Sequence, residues 1–172
     1  MSQAHDCYSP PSLRAAPRAL KRMELAAFLT PKSEVVWVSA SGSVEQALER
    51  MKPNGFAAVP ILDDEGGYVG TLSTSDLMWF LLDAGSAWQE LARATALLTV
   101  PRRRNGLVVC SDTSVAALIQ AAIQHSFLSV VDDRGVFIGI VRRRPVIEHC
   151  ARILQLDGVD SKAFAQSAGK SV

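Results

Sequence analysis

The chain has 172 residues, 48% of them apolar, and a formal net charge of +1 at pH 7. This length allows one domain or two small units sharing a core. The near-zero charge argues against a large nucleic-acid footprint, and the longest apolar runs, such as Leu77 to Leu82, are too short to span a bilayer.

In chain order, residues 1–22 come first, with SPPSLRAAPRALKR rich in Pro, Ala, Ser and Arg and free of acids. This composition predicts a disordered extension. From Met23 a short helix (ELAAFL) leads to an apolar strand (VVWV, 35–38). Ser43 follows as an N-cap, with Val44, Ala47, Leu48 and Met51 at helical spacing behind it. A strand ending in acids (AAVPILDD), a glycine turn (EGG) and a second strand (YVGTL) run into a helix (SDLMWFLLDAG). Pro60, inside the first of these strands, predicts an edge position or a bulge.

The same order then recurs. A helix (ELARATALL) and a strand (LVVC) precede Ser114, a second N-cap, with Val115, Leu118, Ile119 and Ala122 on one face. LSVVDD, an RG turn, VFIGIV and a helix (PVIEHCARIL) complete the unit. Residues 155–172 are small and polar, predicting a disordered tail.

Sliding the sequence by 69 places superposes Asp63 and Asp64 on Asp132 and Asp133, Gly66 on Gly135, Tyr68 on Phe137 and Gly70 on Gly139. Upstream, a two-residue shift aligns GSVEQALERM with TSVAALIQAA and GFAAV with SFLSV. The chain is thus an internal repeat, with one unit at 23–88 and the other at 89–154. The predicted class is α/β (α+β): two pseudo-symmetric units with small β-sheets flanked by helices. The paired aspartates precede tight turns in both copies, so turn chemistry accounts for them.

Cys7, Cys110 and Cys150 are scattered with no CxxC pair, and His149 and Cys150, the nearest thing to a metal pair, are adjacent helix positions that point about 100° apart, which predicts reduced thiols and no metal site. No nucleophile elbow or phosphate-loop lysine motif is present, so no catalytic residue is assigned and a non-enzymatic role is expected.

AVPILDDEGGYVGTLSTSDLM and LSVVDDRGVFIGIVRRR each resemble a CBS motif, and the pair resembles a CBS tandem, or Bateman module, over residues 24–152. A narrower likeness is to small standalone bacterial CBS-pair proteins that bind cyclic di-AMP. Those share a Leu-Thr-Pro segment, here Leu29-Thr30-Pro31, and an arginine pair after the final strand, here Gly139-Ile140-Val141-Arg142-Arg143-Arg144. In the family, adenine nucleotides bind between the copies through a G-h-h-[ST]-x-x-D motif. The first copy has it whole, from Gly70 to Asp76; in the second, Arg142 replaces the hydroxyl residue and Pro145 the aspartate.

The resemblance implies that Asp76 receives ribose hydroxyls and that Ser73 and Thr74 take a phosphate at a helix start. It places adenine against Val35, Val36 and Trp37 with Phe56, Ala57, Ala58, Val59 and Pro60. The matching positions in the second copy are Leu107, Val108, Phe127, Leu128 and Ser129. Arginine forks suit phosphate. The expected site is therefore a single cleft joining those apolar walls, Asp76 or Ser73, and Arg142, Arg143 and Arg144. The linker run Arg102-Arg103-Arg104 is a further possible phosphate contact.

The expected function is a cytoplasmic regulatory module that binds cyclic di-AMP, AMP or ATP and signals to a regulated partner protein. No cofactor is required, and neither a membrane nor a nucleic acid is expected as partner. A homodimer would form through the final helices, with Met78, Trp79, Leu82, Ile147, Ile153 and Leu154. The alternative is a dimeric scaffold whose nucleotide cleft does not function.

Overall fold

The computed structural model describes residues 25–103 and 106–153. The expected disordered extension and tail lie outside them, as do Arg104 and Leu154.

The first repeat contains β1 (Leu29–Pro31), β2 (Val38–Ser39), α1 (Val44–Met51), β3 (Ala58–Leu62), β4 (Tyr68–Ser73) and α2 (Thr74–Leu82). After α3 (Trp88–Ala94) come β5 (Val108–Cys110), α4 (Val115–Gln124), β6 (Phe127–Val131), β7 (Phe137–Arg142) and α5 (Arg143–Ile153). α1, α2 and α4 begin where a serine hydroxyl closes the first turn. Ser43 and Gln46 form a reciprocal capping box on α1, and the Ser114 hydroxyl accepts from the Ala117 N–H on α4. Val44, Ala47 and Met51 are buried, as are Val115, Leu118 and Ala122.

Two sheets result. β2, β3 and β4 form one; β1, β7, β6 and β5, in that order, form the other. The hairpins β3–β4 and β6–β7 match rung for rung, from Ala58 opposite Ser73 and Phe127 opposite Arg142 to a bulge just before Leu62 and Val131. The 69-residue offset therefore runs unbroken through both hairpins. This corrects the expected shift in GFAAV, because Ala57 and Ala58 correspond to Ser126 and Phe127. The two-residue difference sits upstream, between the helix and the strand.

The strand expected at 35–38 is likewise corrected, since only Val38 and Ser39 pair with β3. Parallel pairing one step further back would need an N–H at Pro60, which has none. Ser129, the equivalent residue, donates its N–H to the Leu107 carbonyl at 3.0 Å, and there the strand is longer. Pro60 is thus in a hairpin, at a level where its other side has no strand neighbour.

Both hairpin turns are aspartate turns. Asp63 Oδ1 accepts from the Gly67 and Glu65 N–H groups at 2.6 and 3.0 Å; Asp132 Oδ1 accepts from Val136 and Arg134 at 2.8 and 3.0 Å. Gly66 and Gly135 supply the positive φ, 85° and 81°. The Val136 N–H above all holds the Asp132 carboxyl below the usual carboxylate range, with Arg134 adding to it.

The lead segments cross over. Leu25 and Phe28 are buried with Val109, Leu118, Leu128 and Val141 of the second repeat. Ala92, Leu97 and Val100 are buried with Val44, Ile61, Leu72 and Leu77 of the first. A third cluster joins the sheets: Val35, Leu62 and Tyr68 with Val131, Phe137 and Ile140.

Cys110 is disulfide-bonded and Cys150 free, which corrects the expectation of reduced thiols at Cys110. Among the described residues there is no group of three or more metal-ligating side chains, and no helix is long and apolar enough to cross a membrane.

Candidate functional site

Each repeat ends in the same turn from strand to helix. The Thr74 N–H donates to the Ala57 carbonyl at 2.9 Å, and the Arg143 N–H to the Ser126 carbonyl at 3.0 Å. These bonds hold the first turns of α2 and α5 against the segments that precede β3 and β6. Two clefts lie beside them and meet at Ala57, Ala58, Ser126 and Phe127.

The first cleft has a volume of about 340 Å³. One wall is Val35, Val36 and Phe56 to Pro60; the facing wall is Phe127 and Ile140 with Arg142, Arg143 and Arg144. Arg144 Nε donates to Glu148 Oε1 at 2.7 Å, one helical turn on. The side chains of Arg142 and Arg143 are exposed and have no ion pair among the described residues. Glu34, at the cleft edge, has no counterpart in the sequence reading.

The second cleft, of about 430 Å³, is lined by Thr71, Ser73, Ser75 and Asp76 on one side and by Gln124, His125, Ser126 and Phe127 on the other, with Arg103 and Gly106 from the linker. Asp76 is buried, at 3% exposure. Its Oδ2 accepts from the Ser73 hydroxyl at 2.6 Å and the Ser73 N–H at 3.2 Å, while its own N–H donates to Ser73 Oγ at 3.1 Å. The Arg103 N–H reaches Oδ1 at 3.1 Å. Both oxygens therefore have donors within the chain. The Thr74 hydroxyl, expected to take a phosphate, donates to the Ala57 carbonyl at 3.2 Å.

The expected single cleft is corrected on this point. Asp76 and Ser73 line one cleft and the three arginines the other. By the 69-residue offset the clefts are pseudo-symmetric, so the end of each repeat's final strand faces the other repeat. Apolar Val35, Val36, Phe56, Ala57, Ala58 and Pro60 do come together with Arg142, Arg143 and Arg144. Trp37 lies elsewhere. It is partly buried against the central cluster, with the Arg50 guanidinium 5.1 Å and the Lys32 ammonium 5.7 Å from its ring. Leu128 and Ser129 are buried, and Val108 packs on the central cluster, so these three line neither cleft.

Ser75, Gln124 and His125 were not singled out in the sequence. A strict 69-residue offset through the hairpin would have found His125, because it maps onto Phe56. Tyr68 lies behind the second cleft, its hydroxyl 2.8 Å from Thr71 Oγ1. Burial pushes its phenol pKa up, while Thr71, Ser129 and the Arg102 charge pull it the other way.

The CBS domain family model matches residues 26–83, the repeat with the whole Gly70–Asp76 motif. Over 149 residues the chain is 26% identical to the chloroplastic CBS domain-containing protein CBSX2 of Arabidopsis thaliana, an alignment covering 73% of this chain and 63% of that one. It spans 63% of the length of the curated relatives it matches. Among solved structures it is similar to the CbpB protein of Listeria monocytogenes in complex with cyclic di-AMP, with a TM-score of 0.67 and 24% identity, over 77% of this chain and 98% of that one. It is also similar to CBSX2 in complex with AMP, with a TM-score of 0.61 and 25% identity, over 76% and 97%. The chain therefore carries a match to the CBS domain over residues 26–83 and has the fold of the CBS-pair proteins across both repeats.

Proposed function

We propose that the protein is a non-enzymatic regulatory module that binds an adenine nucleotide in the arginine cleft. The observation that carries this reading is the pairing of an apolar wall, Val35, Val36 and Phe56 to Pro60, with Arg142 and Arg143 opposite. A flat base suits the wall, and a phosphate suits the guanidinium forks. Arginines at a helix start oppose the helix dipole, and an anion there removes the conflict. The AMP and cyclic di-AMP complexes of the similar proteins support the same ligand class.

Ligand touching both repeats would favour one arrangement of them over another, and a partner protein would read the change. Met78, Trp79 and Leu82 on α2 and Ile147 on α5 are exposed apolar residues suited to a homodimer face. Calorimetry with AMP, ATP and cyclic di-AMP tests the reading. It requires saturable binding that Arg143→Ala weakens about tenfold or more, the scale of a charged hydrogen bond. Heat of binding that is insensitive to Arg142 and Arg143 would remove the arginine cleft as the site.

A further inference from the structure

The second cleft differs from the first in what already occupies its polar group. The linker between the repeats runs over the motif of the first repeat and is fixed there at four places. The Arg103 N–H donates to Asp76 Oδ1 at 3.1 Å. The Arg103 guanidinium lies 5.4 Å from the centre of the Trp79 ring, on the same helix as Asp76. Arg102 Nη1 is buried and packs on Gly70 so closely that a Cβ there would come within 2.7 Å of it. Gly106 leaves no room for a side chain beside the Tyr68 hydroxyl, since an added Cβ would lie 2.5 Å from it. Gly70 and Asp76 are the first and last residues of the motif, so the linker covers both ends of it.

In the first cleft, 69 residues on from Asp76 along the matching hairpin and helix start, stands Pro145. The first cleft therefore has no acid at that position for a lead segment to hold. We propose that Arg103 competes with ligand for Asp76, making the Asp76 cleft the weaker of two nucleotide sites until the linker is displaced. This rests on the nucleotide reading for the ligand class, but the anchoring itself is independent of it.

Two measurements on the full chain test it. Trypsin cleavage after Arg102 reads the anchoring without ligand. Asp76→Ala should raise its rate at least fivefold. Asp76→Asn, which keeps an acceptor oxygen, should restore most of the protection. Ser73→Ala, which loosens the same helix start but leaves the carboxylate, should stay within twofold of the natural chain. Equal rates in Asp76→Ala and Ser73→Ala overturn the anchoring.

Calorimetry with AMP reads the competition. Arg103→Pro removes the donor N–H, and Arg103→Ala only the guanidinium. The proline variant should tighten the weaker of two AMP sites about tenfold, the alanine variant less, and the Arg143-dependent site should not move in either. An unchanged weak site in Arg103→Pro, with the Arg143-dependent site intact, overturns the competition and leaves the proposed function standing. No AMP binding in any variant, with ATP and cyclic di-AMP equally silent, overturns the proposed function and the competition together; the trypsin rates then decide the anchoring alone.

Discussion

Tyr68 and Phe137 face each other across the pseudo-two-fold axis, with ring centroids 6.3 Å apart and planes inclined at 20°. Their backbones repeat the relationship. The Tyr68 N–H donates to the Gly135 carbonyl at 3.3 Å, and the Phe137 N–H to the Gly66 carbonyl at 3.0 Å. Each repeat's turn thus binds the start of the other's strand. The side chains hold the centre of the core that joins the sheets.

Removing one ring should cost most of what a buried aromatic contributes. Phe137 is 1% exposed. Phe137→Ala is expected to lower unfolding free energy by about 3–5 kcal/mol, measured by urea denaturation. A loss below about 1 kcal/mol would mean that the sheets do not depend on this contact.

The Tyr68 phenol gives a pH signature. Its pKa in the fold lies above the ordinary 10.0, chiefly through burial. In the unfolded chain the phenol ionises first, so the contribution of Tyr68 is present below about pH 10 and declines as pH rises towards the folded value. Thermal melts from pH 9 to 11.5 should show a steeper fall for the natural chain than for Tyr68→Phe. Parallel curves would refute it.

Ser129→Pro should shorten the second sheet to match the first. The N–H lost is the one that reaches the Leu107 carbonyl. The expected cost is about 1–3 kcal/mol for leaving a buried partner unpaired. Amide exchange at Val109, Val130 and Val131 should rise with it, and unchanged exchange would argue against the role assigned to Pro60 in the first repeat.

The arginines of the first cleft should rank by how free they are. Arg144 is committed to Glu148, whereas Arg142 and Arg143 have no ion pair among the described residues. Nucleotide affinity should fall further with Arg143→Ala than with Arg144→Ala. Glu148→Ala, which frees Arg144, should leave affinity the same or raise it. A larger loss with Arg144→Ala would reverse the order and place the phosphate nearer α5.

Much of this fold was legible in the sequence because its signals are local. Ser43 and Ser114 announce their helices, and Asp63 and Asp132 their turns. The extent of β2 was not, because it depends on the missing N–H of Pro60, a residue in another strand. The cleft was legible in part. Val35, Val36, Phe56 and Arg142 to Arg144 were all singled out, and they do converge. What the sequence could not reveal is which repeat's helix start faces which repeat's wall. That depends on how the sheets pack, and it separates Asp76 from the arginines it was expected to join.

The crossing of the lead segments bears on how the molecule comes apart. Leu25 and Phe28 complete the core of the second repeat, and Ala92, Leu97 and Val100 that of the first. Neither half can melt without opening the other, so the two repeats form one cooperative unit with a single unfolding transition. A chain cut between the repeats would yield halves that each lack part of their own core and regain it only by finding the other.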